Sequence, residues 1–462
     1  MAAAASLRGR PGLAWLDSAM PGPTGRWSIV ASDPRWTLTA YGPEVLYDGP
    51  CGPRRLRPGA LHAFARAIEG EPSHEDGAAS EALQQLGLPF IGGAIGYLAF
   101  ELGREVERLP ATTLDDVGAP DLAVGWYDAA LVWDHQSGRG WLTGRADAVA
   151  QLRTRLDTPG VPPGTATAGR LRANMRREAY LDAVGRALDY VRAGDIYQVN
   201  FAQRFSAPLE GEGLDAYLQL REASPAPFAA YVDTRGAFGG VEVMSSSPER
   251  FLLLDGDLLE TRPIKGTRPR GRTPEADAAL SAELQASRKD LAEHVMIVDL
   301  ERSDLGRVAE TGSVSVPDFA ALESYRQVHH LTSTVRARRR ADASLEDILR
   351  ATFPGGSITG APKVRALEII DELEPTVRGV YTGAIGYVSA HGRMDMNIAI
   401  RTITLADGVA HLHVGGAIVH DSDPEQEYAE TLHKARGMAR ALGVTLPDEV
   451  HPGEHEAHVA SA

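Results

Sequence analysis

Apolar positions recur along this chain with two periods. Tyr180, Val184, Leu188 and Val191 fall three or four residues apart, which predicts a helix over 176–193. The same spacing predicts helices over 61–68, 280–298, 364–373 and 425–442. Pro362 suits the opening of the fourth, and Ser422 with Glu425 the capping box of the last. Strand-like runs occupy 27–31, 36–41, 90–100 and 129–133, then 196–205, 228–232 and 241–244. Asp255-Gly256 turns a run at 251–254 back into 258–261, and a late strand cluster covers 380–388, 394–405 and 410–419. Polar or Pro/Gly-rich stretches break the pattern at 70–82, at 157–169 and from Glu449 onward. The middle one reads as the main boundary, separating 1–160 from a region at 170–447, with 449–462 a disordered tail. A short echo crosses that boundary: GAIGY stands at both 93–97 and 383–387. It is either a Gly-rich strand closely approached by another backbone or a trace of two related layers.

Composition narrows the class. With 43% hydrophobic and 24% charged residues in 462, the chain has an ordinary globular make-up, which excludes wholesale disorder and a rod. A formal charge of −15 disfavours nucleic-acid and anionic-membrane partners, so any anionic ligand must meet a local basic cluster. One cysteine, Cys51, excludes an internal disulfide and a Cys-rich zinc site. No apolar run approaches the roughly 18 residues of a spanning helix, and the start lacks a signal-peptide core. The expected location is the cytoplasm.

Such a basic cluster exists in SSSPERFLLLDGDLLETRPIKGTRPRGR (245–272), where Arg262, Lys265, Arg268, Arg270 and Arg272 crowd together. A charge run is most often a solvated loop. Here Lys265 lies between a strand and Gly266, and Glu249 stands on the preceding arm of the same hairpin. A lysine held among cations has a lowered pKa and can act as nucleophile or base, and a carboxyl beside it as general acid. Asp290 with Glu293, and Glu427 with Glu430, each fall three apart on a predicted helix, with Lys434 one turn beyond the second pair. Either pair alone reads as a solvated face; together they suit an oxygen-liganded cation such as Mg²⁺. PGGSITGAPK (354–363) lacks the Lys-Ser/Thr of a phosphate loop and reads as a Gly-rich turn feeding a helix N-terminus, suited to a carboxylate. Gly415-Gly416 interrupts an alternating strand, a bulge or a point of close ligand approach. Arg401, in apolar company, calls for a carboxylate partner. His329-His330 offers a base or merely hydrogen-bonded structure.

These stretches, with GDIYQVNFAQRF (194–205), KDLAEHVMIVDLERSDLGRV (289–308), HHLTSTV (329–335), GAIGYVSAHGRMDMNIAIRT (383–402) and GGAIVHDSDPEQEYAETLHKA (415–435), resemble the chorismate-utilising enzymes over about 170–445. The resemblance implies an α/β fold of two antiparallel β-sheets packed as a sandwich with helices outside, to which 1–160 adds strands. Lys265 in Pro263-Ile264-Lys265-Gly266-Thr267 is similar to the aminodeoxychorismate synthase branch, whereas anthranilate synthases carry alanine there. It implies that Lys265 attacks C2 of chorismate while Glu249 assists loss of the C4 hydroxyl. It further implies that ammonia then displaces the lysine. Glu293 and Glu430 would ligate Mg²⁺, supported by Asp290 and Glu427, and Thr359, Tyr387, Arg401, Gly415, Gly416 and Lys434 would hold the substrate. His330 matches the family's active-site histidine. The chain shows no glutaminase motif, so ammonia is expected from a separate glutamine amidotransferase; the product keeps its pyruvyl group, so a separate lyase is expected to remove it. Leu16-Asp17-Ser18 resembles the family's tryptophan pocket. The alternatives are an anthranilate synthase with an unusual lysine and a non-catalytic chorismate or tryptophan sensor. The sensor is disfavoured because lysine, acid and metal positions are all present.

Overall fold

The computed structural model describes residues 1–20, 22, 24–57, 59–71, 86–325 and 328–446. Most of the 70–82 stretch and the tail from Glu449 lie outside the described residues. Among the described residues two antiparallel sheets of 12 strands each make up the body. Helices pack on them: Arg288–Gly306 against the strands Ile264–Pro269 and Val328–Arg338, and Pro424–Ala441 against the strand Val409–Ile418.

The stretch at 157–169 does not separate two independent units, because both sheets draw strands from either side of it. Ala14–Asp17 pairs with Phe228–Asp233 in one sheet, and Gly93–Leu98 with Ala384–Ser389 in the other. The second pair joins the two GAIGY copies, with Gly96 directly opposite Gly386. A Cβ at Gly96 would lie 2.0 Å from the Ala123 carbonyl oxygen, and one at Gly386 2.2 Å from that of Asp395. The echo therefore marks two neighbouring strands of a single sheet, each needing glycine where adjacent backbones close in.

Local chemistry explains the other departures from the sequence reading. The helix expected over 280–298 is two, Pro274–Ala286 and Arg288–Gly306, parted at Ser287, whose hydroxyl accepts from the Asp290 N–H at 3.3 Å. The run at 394–405 breaks into Met394–Ile398 and Thr402–Ala406, with Arg401 between them at φ 51°. Asp423, not Ser422, caps the last helix, accepting from the Gln426 N–H at 3.0 Å. Pro362 stands just before the helix Lys363–Leu373 rather than inside it. Where the apolar period is strong the helix is as expected: Arg177–Ala193 buries Tyr180, Ala183, Val184, Ala187 and Leu188 and ends at Gly194 in the left-handed region.

Candidate active site

The strand Ile264–Pro269 lies at one end of its sheet, paired with Val328–Arg338. Its register shifts between Lys265 and Thr267, with Gly266 at φ 76°. Such a bulge re-aims side chains. Lys265 turns inward, its Nζ donating to the Ser357 carbonyl at 3.3 Å, while Thr267 Oγ1 meets His330 Nδ1 at 2.9 Å.

The basic run is not a pool of free cations. Arg262 pairs with Glu323, Arg268 with Glu283 and Asp290, and Arg270 with Asp277. Among the described residues Lys265 closes no ion pair. Its pKa is lowered, as expected, but burial is the main cause. The field of Lys434 adds to the lowering, and Glu293, Glu249 and Glu430 oppose it. Glu249 and Lys265 meet at the open end of the hairpin formed by Arg250–Asp255 and Leu258–Arg262. Glu249 is buried, and its Oε1 has no hydrogen-bond partner among the described residues. Burial raises its pKa against the pull of Ser357, Lys265 and Arg401, which favours the proton-carrying form an acid needs. Arg401 also makes no ion pair among the described residues, and burial lowers its pKa against the attraction of Glu249. His330 is 2% exposed and held neutral, its pKa pushed down to about 3 by burial and by Arg401.

The two acidic helices approach from opposite sheets. Glu427 is buried and accepts from Ser422 Oγ at 2.6 Å, so Ser422 orients this carboxylate instead of capping the helix. A Cβ on Gly416 would sit 3.0 Å from Glu427 Oε2 and 3.9 Å from Glu430 Oε1, so glycine there leaves the carboxylates room. Lys434 Nζ bridges Glu430 Oε1 at 2.7 Å and the Gly415 carbonyl at 2.8 Å. The pKa of Glu293 is raised by burial, then by Asp290 and Glu427, against Lys265 and Lys289. Among the described residues no three acidic, His or Cys side chains form a ready metal-binding group. The donor chemistry still fits a hard divalent cation, since Glu293 and Glu427 repel each other and both suffer burial. Asp290 fits less well, its carboxylate being engaged by Arg268 at 3.2 Å.

Two expected substrate contacts stand differently. Thr359 is fully buried and its hydroxyl donates to the Gly355 and Gly356 carbonyls at 3.1 and 3.3 Å. Tyr387 is not brought to the cluster. It lines a separate cavity of about 230 Å³ between the sheets, together with Asp17, Ser18, Arg26, Arg250 and Asn397. The other tyrosine of that motif takes the nearer place: Tyr381 stacks on His413 at 5.3 Å, and its hydroxyl lies 3.1 Å from where a Gly415 Cβ would be. Its signal was present in YTGAIGY (381–387), but the sequence did not say which tyrosine faces the glycines.

Residues 18–440 match the chorismate binding enzyme family, and the chain belongs to it. It is 42% identical over 427 residues to aminodeoxychorismate synthase component 1 of Escherichia coli, covering 91% of this chain and 90% of that one. It is 45% identical over 365 residues to anthranilate synthase component 1 of Thermus thermophilus, covering 77% and 78%. The crystal structure of anthranilate synthase component I from Streptococcus pneumoniae superposes with a TM-score of 0.79 at 31% identity, covering 91% of this chain and 94% of that one. The menaquinone-specific isochorismate synthase of Escherichia coli, at 18% identity and TM-score 0.72 over 95% and 90%, shares the fold. The two-sheet α/β architecture expected from the resemblance is the one these structures share. No helix among the described residues is long and apolar enough to cross a membrane.

Proposed function

We propose that this chain is the chorismate-acting component of aminodeoxychorismate synthase, making 4-amino-4-deoxychorismate for p-aminobenzoate and folate. The observation that carries the reading is Lys265: half-buried, with lowered pKa, not ion-paired among the described residues, and facing Glu249. A neutral lysine amine forms a bond to ring C2 as both ring double bonds shift toward C4 and the C4–O bond breaks. Glu249 gives its proton to the departing hydroxyl, which leaves as water. Ammonia then bonds to C4, the ring electrons return, and the C2–N bond breaks to free the lysine amine. The new ammonium returns a proton to Glu249. Arg401, Tyr381 and the backbone at Gly415-Gly416 hold the substrate carboxylates. Glu293 and Glu430, with Glu427 oriented by Ser422, would hold Mg²⁺; when bound, it neutralises a substrate carboxylate among these acids. His330, neutral and tied to Thr267, can only accept or relay a proton.

Ammonia comes from a separate glutamine amidotransferase, and a separate lyase removes the pyruvyl group. The test is incubation with chorismate, Mg²⁺ and ammonium at high pH, with and without an added lyase, and with glutamine in place of ammonium. Aminodeoxychorismate from ammonium alone, and from glutamine only with an added amidotransferase, is the expected outcome. Anthranilate as product would establish the rival, and glutamine use by the single chain would refute the separate partner.

A second reading concerns the cavity holding Leu16, Asp17, Ser18 and Tyr387, which has the size of an amino acid and polar groups on its walls. We propose that it takes tryptophan. Titration calorimetry with tryptophan against wild type and Tyr387→Ala checks this; no heat from wild-type protein freed of endogenous ligand would reject it.

A further inference from the structure

Arg378 has no part in the reaction scheme, yet it is almost wholly buried, at 3% exposure. Its guanidinium donates to Glu374 at 2.9 and 2.6 Å, to the Asn200 carbonyl at 2.7 Å, to the Ile358 carbonyl at 3.1 Å and to Thr382 Oγ1 at 3.3 Å. The group lies 4.6 Å from the Phe100 ring centroid and 5.9 Å from that of Tyr381. Glu374 in turn accepts from the Ala202 N–H at 2.9 Å.

One ion pair thus gathers segments far apart in sequence, and those segments carry the site. Asn200 Nδ2 donates to the same Ser357 carbonyl that receives Lys265 Nζ. Ala202 stands opposite Gly415 in the ladder, and Tyr381 places its hydroxyl beside Gly415. A buried ion pair contributes little net stability compared with well-packed apolar residues. An apolar replacement could fill the space but could not fix two carbonyls and a hydroxyl at set positions around one plane.

We infer that Arg378, backed by Glu374, is a positioning residue for substrate carboxylate recognition, setting the Tyr381 hydroxyl and the Ser357–Thr359 turn against Gly415. It touches no substrate. The inference rests on reading this site as one for chorismate.

The test is steady-state kinetics with ammonium and varied chorismate on wild type, Arg378→Lys, Tyr381→Phe and the double variant, with the folded fraction measured by thermal melting. Lysine keeps the charge but cannot span the same acceptors. The chorismate KM should rise about tenfold in Arg378→Lys while kcat per folded enzyme stays within about threefold. The double variant should have a KM no higher than the worse single one, because both act through Tyr381. A KM within about twofold of wild type, with activity following the folded fraction, would overturn the inference, as would independent, multiplying effects of the two substitutions. If Arg378→Lys does not fold, Glu374→Gln, which keeps a carbonyl acceptor, is read by the same KM criterion. A wild-type chain that fails to consume chorismate with ammonium overturns the functional reading instead, which keeps the two failures apart.

Discussion

At the centre of the site Lys265, Arg401 and Glu249 face one another without closing an ion pair among the described residues, whereas around the Asp17 cavity the charges are tied down. Asp17 accepts from Ser28 at 3.0 Å and pairs with Arg221; Arg250 holds Glu260 at 2.7 Å and Asp395 at 2.9 Å; Arg26 holds Asp134 at 3.0 Å. Lys265, Arg401 and Glu249 Oε1 have no such partner among the described residues. Burial without pairing costs folding free energy and is tolerated where a ligand supplies the missing partner. Paired charges hold structure, so substitutions in the two regions should separate chemistry from stability.

The largest effect is expected at Lys265. Lys265→Ala should lower aminodeoxychorismate formation by about 10³-fold or more, since the neighbouring arginines stay protonated and cannot replace the nucleophile. Its melting temperature should change little, because the lysine closes no ion pair. Product chromatography, mass spectrometry of trapped enzyme and a thermal melt check this; wild-type turnover with no adduct on Lys265 would reopen the anthranilate reading.

Next come the acidic helices. Glu293→Gln and Glu430→Gln should each cut Mg²⁺-dependent turnover by about 10²-fold while the circular dichroism spectrum is kept. Near wild-type activity at limiting Mg²⁺ would remove that residue from the ligand set. Arg401→Gln should raise the chorismate KM by about 10–100-fold, the loss of a charge-assisted carboxylate contact, with stability unchanged or improved as a half-buried charge with no ion pair among the described residues is removed. A KM at the wild-type value would place the carboxylate elsewhere.

The paired region should answer to pH rather than to substrate. The side-chain hydrogen bond from Arg26 holds the Asp134 pKa down to about 2. A depressed carboxylate stabilises the fold above the unfolded-state value near 4, and that stabilisation is lost as pH falls through about 2. With Arg26 half exposed and screened, Asp134→Asn should cost about 1 kcal/mol at neutral pH and flatten the acid limb of the stability curve. An unchanged acid limb, measured by urea unfolding between pH 2 and 5, would show that the pair contributes nothing.

Much of this was legible before any coordinates. The period of the apolar residues placed the helix Arg177–Ala193 and the hairpin of Arg250–Asp255 with Leu258–Arg262, because a helix face and an alternating strand are local patterns. The residue types of the acidic pairs and of Lys265 stood in the chain in readable order. Strands such as Leu122–Tyr127, buried throughout, gave no alternation to read. The break inside the helix predicted over 280–298 was missed at Ser287, where a side-chain hydroxyl caps a new helix.

The sequence by itself determined the family and the inventory of acids and cations, Lys265 among them. Tertiary structure decided which of them meet. It put Tyr381 rather than Tyr387 beside Gly415, and turned Ser422 from a helix cap into the partner of Glu427. It paired Arg262, Arg268 and Arg270 with acids and left Lys265 without an ion pair among the described residues. It also laid the two GAIGY strands side by side. The reason is physical: composition and period fix what a segment can bury. The partner a buried charge finds depends on register, bulges and close backbone approach between segments hundreds of residues apart.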